Sequence, residues 1–416
     1  MIDRAATAAR IRQDIDTLSG PAHTRDDVAI RRYAYTPEYA ATVAYFTREL
    51  EAVGFTVEQD AVGTLVARNV PKGQPAFGIG SHCDSNRNGG KWDGTLGVVM
   101  ALEIGRLNHE QSLGLPLQVM AFLEEEGSGF GQMLLGSRVM SHRVTEADLK
   151  ERIRELDTGR SFWDTAKAAG YPVEQWETSA RHLDGLIGWI EPHIEQARVL
   201  QDTGNRIGVV NAIAGYVHAD VHVTGRDDHA GATPMDFRLD PTLVLADCVL
   251  ELERLARAAG HATVGTVGEI EVKPSLINAI ARSVRFSLDI RGPVDAAFTG
   301  VFDAIAAYAK ERGAARGMQV EVVERQRIAA TPMDPAIVAA LEAAAAATGE
   351  PFMTMHSGAA HDTMCVADTR PTAMVFVPCK DGLSHTPLED ARPEDAAVAV
   401  EAVLAAVQAL VAAAKG

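Results

Sequence analysis

The spacing of apolar residues along the chain changes repeatedly between helical and strand-like periods. Helical spacing covers residues 36–53 and 94–109. Short apolar runs typical of strands cover 56–70 (with a turn at Gly63), 76–80 and 117–122. Strands that alternate with helices predict an α/β fold with a mostly parallel sheet covered on both faces. In such sheets the functional site lies at the carboxyl ends of the strands.

From about residue 212 the pattern becomes a βαββαβ series, which predicts a ferredoxin-like unit. The series comprises a strand at 212–224, a helix at 239–259, strands at 263–272 and 277–290, a helix at 294–312 and a strand at 319–324. The remaining chain returns to a helix at 335–348, a strand at 372–377 and a C-terminal helix. We therefore predict one domain formed by 1–211 and 330–416, with a second domain, 212–329, inserted into it.

The C-terminal helix is the most apolar long segment, from residue 396 to 414. Glu401 and Gln408 interrupt it seven residues apart, which places both on one helical face. This punctuation favours an amphipathic helix over a membrane span. The first residues lack the continuous apolar stretch of a signal peptide, and the four cysteines form no CxxC pair. The expected location is the reducing cytosol.

The 416 residues allow two domains and a large core. Hydrophobic residues make up 47% and charged residues 23%, as in an ordinary globular protein, which argues against disorder. The net charge of −17 argues against a nucleic-acid backbone or an anionic membrane as partner.

Polar clusters follow the predicted strands where the site is expected. His82 and Asp84 follow the strand at 76–80, and Asp93 comes eleven residues after His82 in a glycine-rich run. Imidazole and carboxylate are good ligands for a divalent ion, and Asp84 is placed to orient the ring of His82. The alternative is a polar loop in which Asp93 caps the next helix.

The run Glu124-Glu125-Glu126 ends the next strand. Adjacent buried carboxylates are costly unless a cation or a proton compensates them, so one as a ligand beside one as a general base would use them well. A solvated acidic turn is the alternative. His193 and His385 each follow an apolar run beside other polar groups, although any single histidine is more often a structural residue than a ligand.

Taken together, these motifs resemble a known family. GSHCDS, GGKWDGTLGV, EEEGSGFG, EPHIEQ, DDHAGATPM, INAIARSVRFSLDIR, SGAAHD and GLSHTP occur in this order between about residues 80 and 387. The chain resembles the hydantoinase/carbamoylase branch of the aminoacylase-like dimetal hydrolases, which includes N-carbamoyl-L-amino-acid hydrolases, β-ureidopropionases and allantoate amidohydrolases. Eight ordered motifs are far more specific than one.

The resemblance implies a site and an assembly. Asp93 would bridge two divalent ions, with His82 and His193 on one and Glu126 and His385 on the other. Glu125 matches the general base, and His229 would stabilise the oxyanion. The positions that match substrate contacts are Gln196, His229, Asn278 and Arg291. The inserted domain would be a lid and dimerisation domain, since the residue matching His229 often reaches the partner subunit's site. Zinc, manganese, cobalt and nickel all suit these ligands.

Each substrate position also has a structural alternative. Arg291 could pair with a surface carboxylate, and His229 and Asn278 could be hydrogen-bonding loop residues. Two positions depart from the family pattern: Gly129 stands where arginine is usual, and Ala197 where glycine is usual. Neither removes a metal ligand, but both leave the exact substrate open.

Three functions follow from this pattern. The first is hydrolysis of the C–N bond of N-carbamoyl-L-amino acids or related ureido acids. The second is an allantoate, ureidoglycolate or N-acyl-amino-acid amidohydrolase. The third is a dimeric binding protein that kept the fold and lost catalysis, against which the retention of all five ligands and Glu125 argues.

Overall fold

A computed structural model describes residues 2–26 and 28–414 of the chain, which fall into two units. The larger unit comprises the described residues up to Asn211, Met333–Met355 and the described residues from Ala360 onward. The smaller unit comprises Ala212–Pro332 and His356–Ala359. The larger unit is therefore assembled from segments on both sides of the smaller one in sequence.

The strands are β1 Thr56–Gln59, β2 Leu65–Arg68, β3 Ala76–His82, β4 Leu117–Phe122, β5 Leu186–Ile194, β6 Ile207–Ile213, β7 Gly215–Thr224, β8 Val264–Thr266, β9 Ile270–Lys273, β10 Ser283–Gly292, β11 Gln319–Ile328, β12 Thr331–Pro332, β13 Phe352–Ser357 and β14 Thr372–Val377. The α-helices are α1 Arg4–Leu18, α2 Pro37–Ala52, α3 Thr95–Glu110, α4 Leu135–Met140, α5 Phe162–Ala168, α6 Val199–Thr203, α7 Thr242–Ala259, α8 Asp295–Ala315, α9 Pro335–Ala347, α10 Thr363–Val366 and α11 Pro393–Ala413. Short 3₁₀ or π turns cover Asp148–Arg152, Val173–His182, Met235–Phe237 and Lys380–Gly382.

The sheet of the larger unit runs in the order β1-β2-β4-β3-β5-β14-β6, and β13 also pairs with β6. The four central strands, β4, β3, β5 and β14, are mutually parallel. The flanking pairs β1–β2, β2–β4 and β14–β6 are antiparallel. The predicted parallel sheet is confirmed at its centre, while the tight turn at Gly63 makes β1 and β2 a hairpin, whose strands must be antiparallel.

Helices pack against the central strands, among them α3 on β3 and β5 and α11 on β14 and β5. Every residue of β3, β4 and β14 is buried, as expected for parallel strands packed on two sides. Helix α11 begins at Pro393, whose fixed φ suits the first helical turn. It is long and apolar enough to cross a membrane, but 61% of its most apolar window is buried inside the protein. Its burial is that of a core helix.

The smaller unit has the element order βαββαβ, formed by β7, α7, β8 with β9, β10, α8 and β11. Its antiparallel sheet runs β11-β7-β10-β8, and β9 also pairs with β10. Alternate residues of β7 and β10 join α7 and α8 in one apolar core. The other face of the sheet carries polar side chains, among them Asp289 and Arg291.

Two predicted strands of this unit differ in the structure. The segment 263–272 forms two short strands, β8 and β9, because between them the Ser287 hydroxyl accepts the Glu269 N–H in place of a backbone partner. The segment 277–290 is a strand only from Ser283 onward. Its apolar start is a loop in which the Ile277 side chain is fully exposed.

Candidate metal centre

Each of the four central parallel strands brings a polar residue to the same edge of the sheet. His82 is the last residue of β3, Glu124–Glu126 follow β4, His193 lies near the end of β5, and His385 lies on the segment after β14. This convergence follows from topology, since the carboxyl ends of parallel strands meet at one edge.

The structure gathers these side chains into two groups that share Asp93. One group is His82, Asp93 and His193, and the other is Asp93, Glu126 and His385; in each, the potential ligand atoms lie within 4.8 Å of one another. Asp93 Oδ1 is 3.6 Å from His82 Nε2 and 3.1 Å from His193 Nε2. Asp93 Oδ2 is 3.4 Å from His385 Nε2. Each carboxylate oxygen therefore faces a different group.

The two buried imidazoles converge on one point. His82 Nε2 and His193 Nε2 are 3.5 Å apart. His193 Nδ1 is 2.9 Å from the Ile194 carbonyl oxygen, which can only accept, so Nδ1 carries the proton and Nε2 keeps its lone pair. That lone pair faces Asp93 and also accepts the Gly94 N–H at 3.2 Å. This is the tautomer that a metal ligand requires.

Gly94 caps α3 where the helix approaches His82. Its φ is +60°, and a Cβ there would lie 2.2 Å from the ring of His82. Only glycine fits such a position, because an L side chain is both strained and in collision. The glycine-rich run before α3 therefore allows Asp93 and His82 to share one centre.

Asp84 organises the turn that carries the glutamates. Its Oδ1 and Oδ2 accept the N–H groups of Glu125 and Glu126, each at 3.1 Å. His82 Nδ1 lies 3.4 Å from Asp84 Oδ1 without forming an aligned hydrogen bond. Asp84 therefore links the loop after β3 to the loop after β4.

Glu125 Oε2 lies 3.7 Å from His82 Nε2, on the same side of the centre as the paired imidazoles. Glu124 points elsewhere: its Oε1 accepts the N–H groups of Gly129 and Phe130. The three consecutive carboxylates thus have different surroundings, and Glu125 and Glu126 are the two that reach the centre.

Burial dominates the electrostatics of these carboxyl groups. It raises the pKa of Glu125 well above its ordinary value, that of Glu126 to about 7 and that of Glu124 to about 8. Burial also opposes ionisation of Asp93, but the charge of a protonated His193, followed by hydrogen bonds from the protonated rings of His193, His385 and His82, holds its pKa well below the usual range. The hydrogen bond with Asp93 raises the pKa of His385 to about 9.

The residues present fit two divalent cations. The donor set is nitrogen and oxygen only, and one carboxylate is shared. Glu126 Oε1 is buried without a hydrogen-bond partner, the state of an oxygen that awaits a ligand. Cations at the two groups would offset the cost of burying several carboxylates together.

Three residues at this edge have left-handed backbone conformations that non-glycine residues rarely adopt. Their φ angles are 55° for Glu124, 59° for Gln196 and 58° for His385. Such conformations cost about 1–3 kcal/mol each and persist where the surroundings demand them. All three lie on loops that carry or directly follow the metal-ligand candidates.

Gln196 contacts the metal-ligand group directly. Its amide donates to Asp93 Oδ2 at 2.8 Å, and the Ser384 hydroxyl donates to the same oxygen at 2.7 Å. Ala197 beside it is exposed. Gly129, the other departure from the family pattern, lies where a Cβ would be 2.9 Å from Glu124 Oε2, so a larger residue would move that carboxylate.

In the smaller unit, His229 and Asn278 are neighbours. The Ala230 N–H donates to the Asn278 carbonyl at 2.9 Å, and both side chains are exposed. His229 Nδ1 accepts the N–H groups of Gly231 and Ala232 at 3.1 Å. The ring proton is therefore on Nε2, where it can be donated to another group.

Arg291 lies apart from them on β10. Its Nε and Nη2 donate to the two oxygens of Asp289 at 2.8 and 2.9 Å, and its guanidinium lies 5.5 Å from the ring centre of Tyr216. The pairing with a nearby carboxylate, which the sequence leaves open as an alternative, is thus present. The Nη1 edge points at the Gly358 carbonyl, 3.4 Å away.

The sequence does not single out Glu389 or His361. Glu389 is 3% exposed and contacts the Asp93 loop, and the buried His361 ring packs 4.6 Å from that of His193. Glu389 lies on the loop that follows the buried strand β14, a position where the strand-end rule expects functional residues, whereas His361 follows the half-buried strand β13.

Comparison with known proteins shows the family to which the chain belongs. The family described as "Peptidase family M20/M25/M40" matches residues 70–409. An N-carbamoyl-L-amino-acid amidohydrolase of Paenarthrobacter aurescens is 35% identical, covering 97% of this chain and 98% of its own. The allantoate amidohydrolase of Escherichia coli is 32% identical, covering 89% and 90%. The crystal structure of a hydantoinase/carbamoylase family amidase from Burkholderia ambifaria matches with a TM-score of 0.86, 31% identity and 97% coverage of both chains.

Proposed function

The chain belongs to peptidase family M20/M25/M40 and is similar to several proteins named as amidohydrolases, and we propose that it hydrolyses the C–N bond of N-carbamoyl-L-amino acids. The observation that carries the proposal is the division of the two Asp93 oxygens between two ligand groups. The names of several relatives support the substrate. Allantoate and other ureido acids, on which further relatives are named to act, are the alternative.

In this proposal His82, Asp93 and His193 would hold one divalent cation, and Asp93, Glu126 and His385 would hold the second. Two divalent ions held there would lower the pKa of a water molecule and polarise the carbonyl group. Zinc, manganese, cobalt and nickel all suit the donor set. Asp84 supports His82 and the glutamate turn.

The remaining chemistry is assigned to side chains. Glu125 takes the proton of the attacking water and returns it to the leaving nitrogen. His229 donates its Nε2–H to the developing oxyanion. For a carbamoyl substrate, water adds to the carbonyl carbon and the C–N bond to the amino acid breaks. The products are the free amino acid and carbamic acid, which decomposes to carbon dioxide and ammonia.

Release of ammonia from carbamoyl and ureido substrates, or of the free amino acid from acyl substrates, gives a direct test of the proposal. Purified protein should be assayed with manganese or zinc against matched carbamoyl, ureido and acyl derivatives of the same amino acids. We expect the N-carbamoyl-L-amino acids to give the highest kcat/KM. A clear preference for allantoate would establish the alternative. No hydrolysis of any substrate by protein shown to contain two cations would instead favour the binding-protein hypothesis.

Arg291, Gln196 and Asn278 are proposed to bind the substrate, with Arg291 holding its carboxylate. Asp289 occupies the Nε side of the guanidinium, so a substrate carboxylate would bind at the Nη1–Nη2 edge. Arg291→Lys should lower kcat/KM for the acid at least about tenfold, since an ammonium cannot reproduce the planar contact and a charged hydrogen bond contributes about 1.5–3 kcal/mol.

Parallel assays on the acid and its matching amide measure this effect. The amide should be a poor substrate for the wild type and little affected by the substitution. Arg285→Lys is the matched control. Arg285 lies on the same strand as Arg291, but it pairs with Asp220 and Glu269. Equal losses on the acid and the amide would show that Arg291 supports the fold, and the carboxylate site would have to lie elsewhere.

We also propose a cytosolic homodimer formed through the smaller unit, which would act as a lid and dimerisation domain. Most of the large exposed apolar side chains belong to this unit, including Met235, Phe237, Leu250, Leu276 and Ile277. Such a concentration is typical of an interaction surface. All four cysteines are free and buried, which fits a reducing compartment.

The dimer can be tested by light scattering after size-exclusion chromatography. Leu250→Asp and Ile277→Asp are expected to give monomers with an unchanged unfolding temperature, because neither side chain is packed within the chain. Exposed Val28→Asp in the larger unit is the control. A wild-type protein that elutes as a monomer at micromolar concentration would contradict the proposal.

A further inference from the structure

The buried Glu389 carboxylate joins the two loops that carry metal-ligand candidates. Its Oε1 accepts the N–H groups of Trp92 and Asp93 at 2.8 and 2.9 Å. Glu389 itself lies four residues after His385, on the loop that follows β14. The side chain is thus attached to one ligand loop and holds the backbone of the other.

Ser384 forms a second link between the same loops. Its hydroxyl oxygen lies 2.7 Å from Asp93 Oδ2 and 3.3 Å from Glu389 Oε2. A hydroxyl has one proton to donate, so the two carboxylates are alternative acceptors for it. The closer contact is with the Asp93 oxygen that faces His385 and Glu126.

Packing leaves Glu389 little freedom to move. A Cβ on Gly90 would lie 2.3 Å from Glu389 Cβ and 2.5 Å from its Oε1, so the glycine backbone is in direct contact with this side chain. The carboxylate is therefore fixed against residues 90–93 rather than resting loosely beside them.

We propose that Glu389 is a positioning residue for the second cation, the one assigned to Asp93 Oδ2, Glu126 and His385. A cation on Asp93 Oδ2 would compete with the Ser384 hydroxyl for that oxygen. The hydroxyl would then donate its hydrogen bond to Glu389 Oε2, while Glu389 Oε1 keeps Asp93 oriented through the Asp93 backbone N–H. The inference rests on the proposed dimetal centre. It assigns to Glu389 the role of holding the loop that carries Asp93 against the loop that carries His385.

Glu389→Gln tests the proposal, because an amide has one acceptor atom and cannot accept from both the backbone N–H groups and Ser384. Mn²⁺ should be titrated calorimetrically into chelator-treated wild type and variant. We expect affinity for the second cation to fall about 10–100-fold, the usual effect of losing a group that orients a ligand, with the first affinity little changed. The titration should resemble that of His385→Ala and differ from that of His82→Ala.

Asp60→Asn is the matched control. Asp60 is also buried and its Oδ1 accepts three backbone N–H groups, from Val62, Gly63 and Thr64, but these belong to the β1–β2 hairpin. This variant should lower the unfolding temperature and still bind two cations as the wild type does. If Glu389→Gln does not fold, Gly90→Ala should displace the same carboxylate and give the same selective loss.

The possible outcomes separate the inference from the proposed centre. Wild-type protein that binds fewer than two cations would overturn the centre and the inference with it. If Glu389→Gln bound both cations with wild-type affinity, or lost affinity equally at both sites, only the proposed role of Glu389 would be overturned. A loss confined to the second cation would support it.

Discussion

Replacing Glu125 by glutamine is expected to lower kcat by about 10²–10⁴-fold while both cations remain bound. The side chain reaches the centre, 3.7 Å from His82, yet among the described residues it belongs to neither ligand group. Glutamine keeps the size of the side chain but cannot accept the proton of water. Turnover measured by ammonia release, together with metal content measured by atomic emission, checks both parts of this result.

Glu124→Gln is the control for that substitution. The Glu124 carboxylate is buried next to Glu125, but it accepts the backbone N–H groups of Gly129 and Phe130 instead of facing the centre. This variant should lose stability to heat and keep kcat within the same order of magnitude. If Glu125→Gln kept near-normal turnover and Glu124→Gln lost most of it, Glu124 would be the general base instead of Glu125.

The centre of the larger unit was predictable because each signal there points the same way. The run at 76–80, and the run at 117–122 apart from Gln118, are short, apolar and followed by polar clusters, which is the pattern of buried parallel strands. The structure has β3 and β4 at those positions, mutually parallel. The grouping of His82, Asp93, His193, Glu126 and His385 then followed from the family motifs, and the structure brings these five residues together.

The smaller unit shows where periodicity misleads. Apolar residues at 276–277 extend the strand pattern of β10 towards the N-terminus, but Leu276 and Ile277 are exposed and lie before the strand begins. A run of apolar residues indicates burial without saying what it is buried against. If Leu276 and Ile277 pack on a second subunit, the apolar run correctly indicates burial, and only the prediction of a strand at these residues is wrong.

Loop residues are harder to predict than strand ends. Nothing in the spacing around Glu389 distinguishes it from Asp390, yet only the former is buried against the Asp93 loop. The pairing of Arg291 with Asp289 could be predicted from the sequence, because residues two apart on a strand lie on the same face of the sheet. The burial of Glu389 depends on three-dimensional packing between distant segments, whereas the Arg291–Asp289 pair depends on the local geometry of one strand.

Asp93→Asn is expected to abolish the bridge and reduce bound cations from two to at most one. The Gln196 amide and the Ser384 hydroxyl donate to Oδ2, so the carbonyl oxygen of asparagine would take that position. The NH₂ group would then face His82 and His193, where it would donate to the Nε2 lone pair of His193 instead of binding a cation. The first group would lose a ligand, and the second would keep only a neutral oxygen.

Because two cations at the proposed centre would contribute several kcal/mol of transition-state stabilisation, kcat/KM should fall about 10³-fold or more. Calorimetric titration with Mn²⁺ and an ammonia assay on the same samples measure the two effects together. Asp84→Asn is the control. Asp84 accepts hydrogen bonds from the backbone N–H groups of Glu125 and Glu126, and among the described residues it belongs to neither ligand group. It should weaken cation binding about 10–100-fold without changing the number bound at saturation. Two tightly bound cations in Asp93→Asn would mean that another carboxylate forms the bridge, and Glu125, the nearest to His82 after Asp84 and Asp93, would be the first to examine.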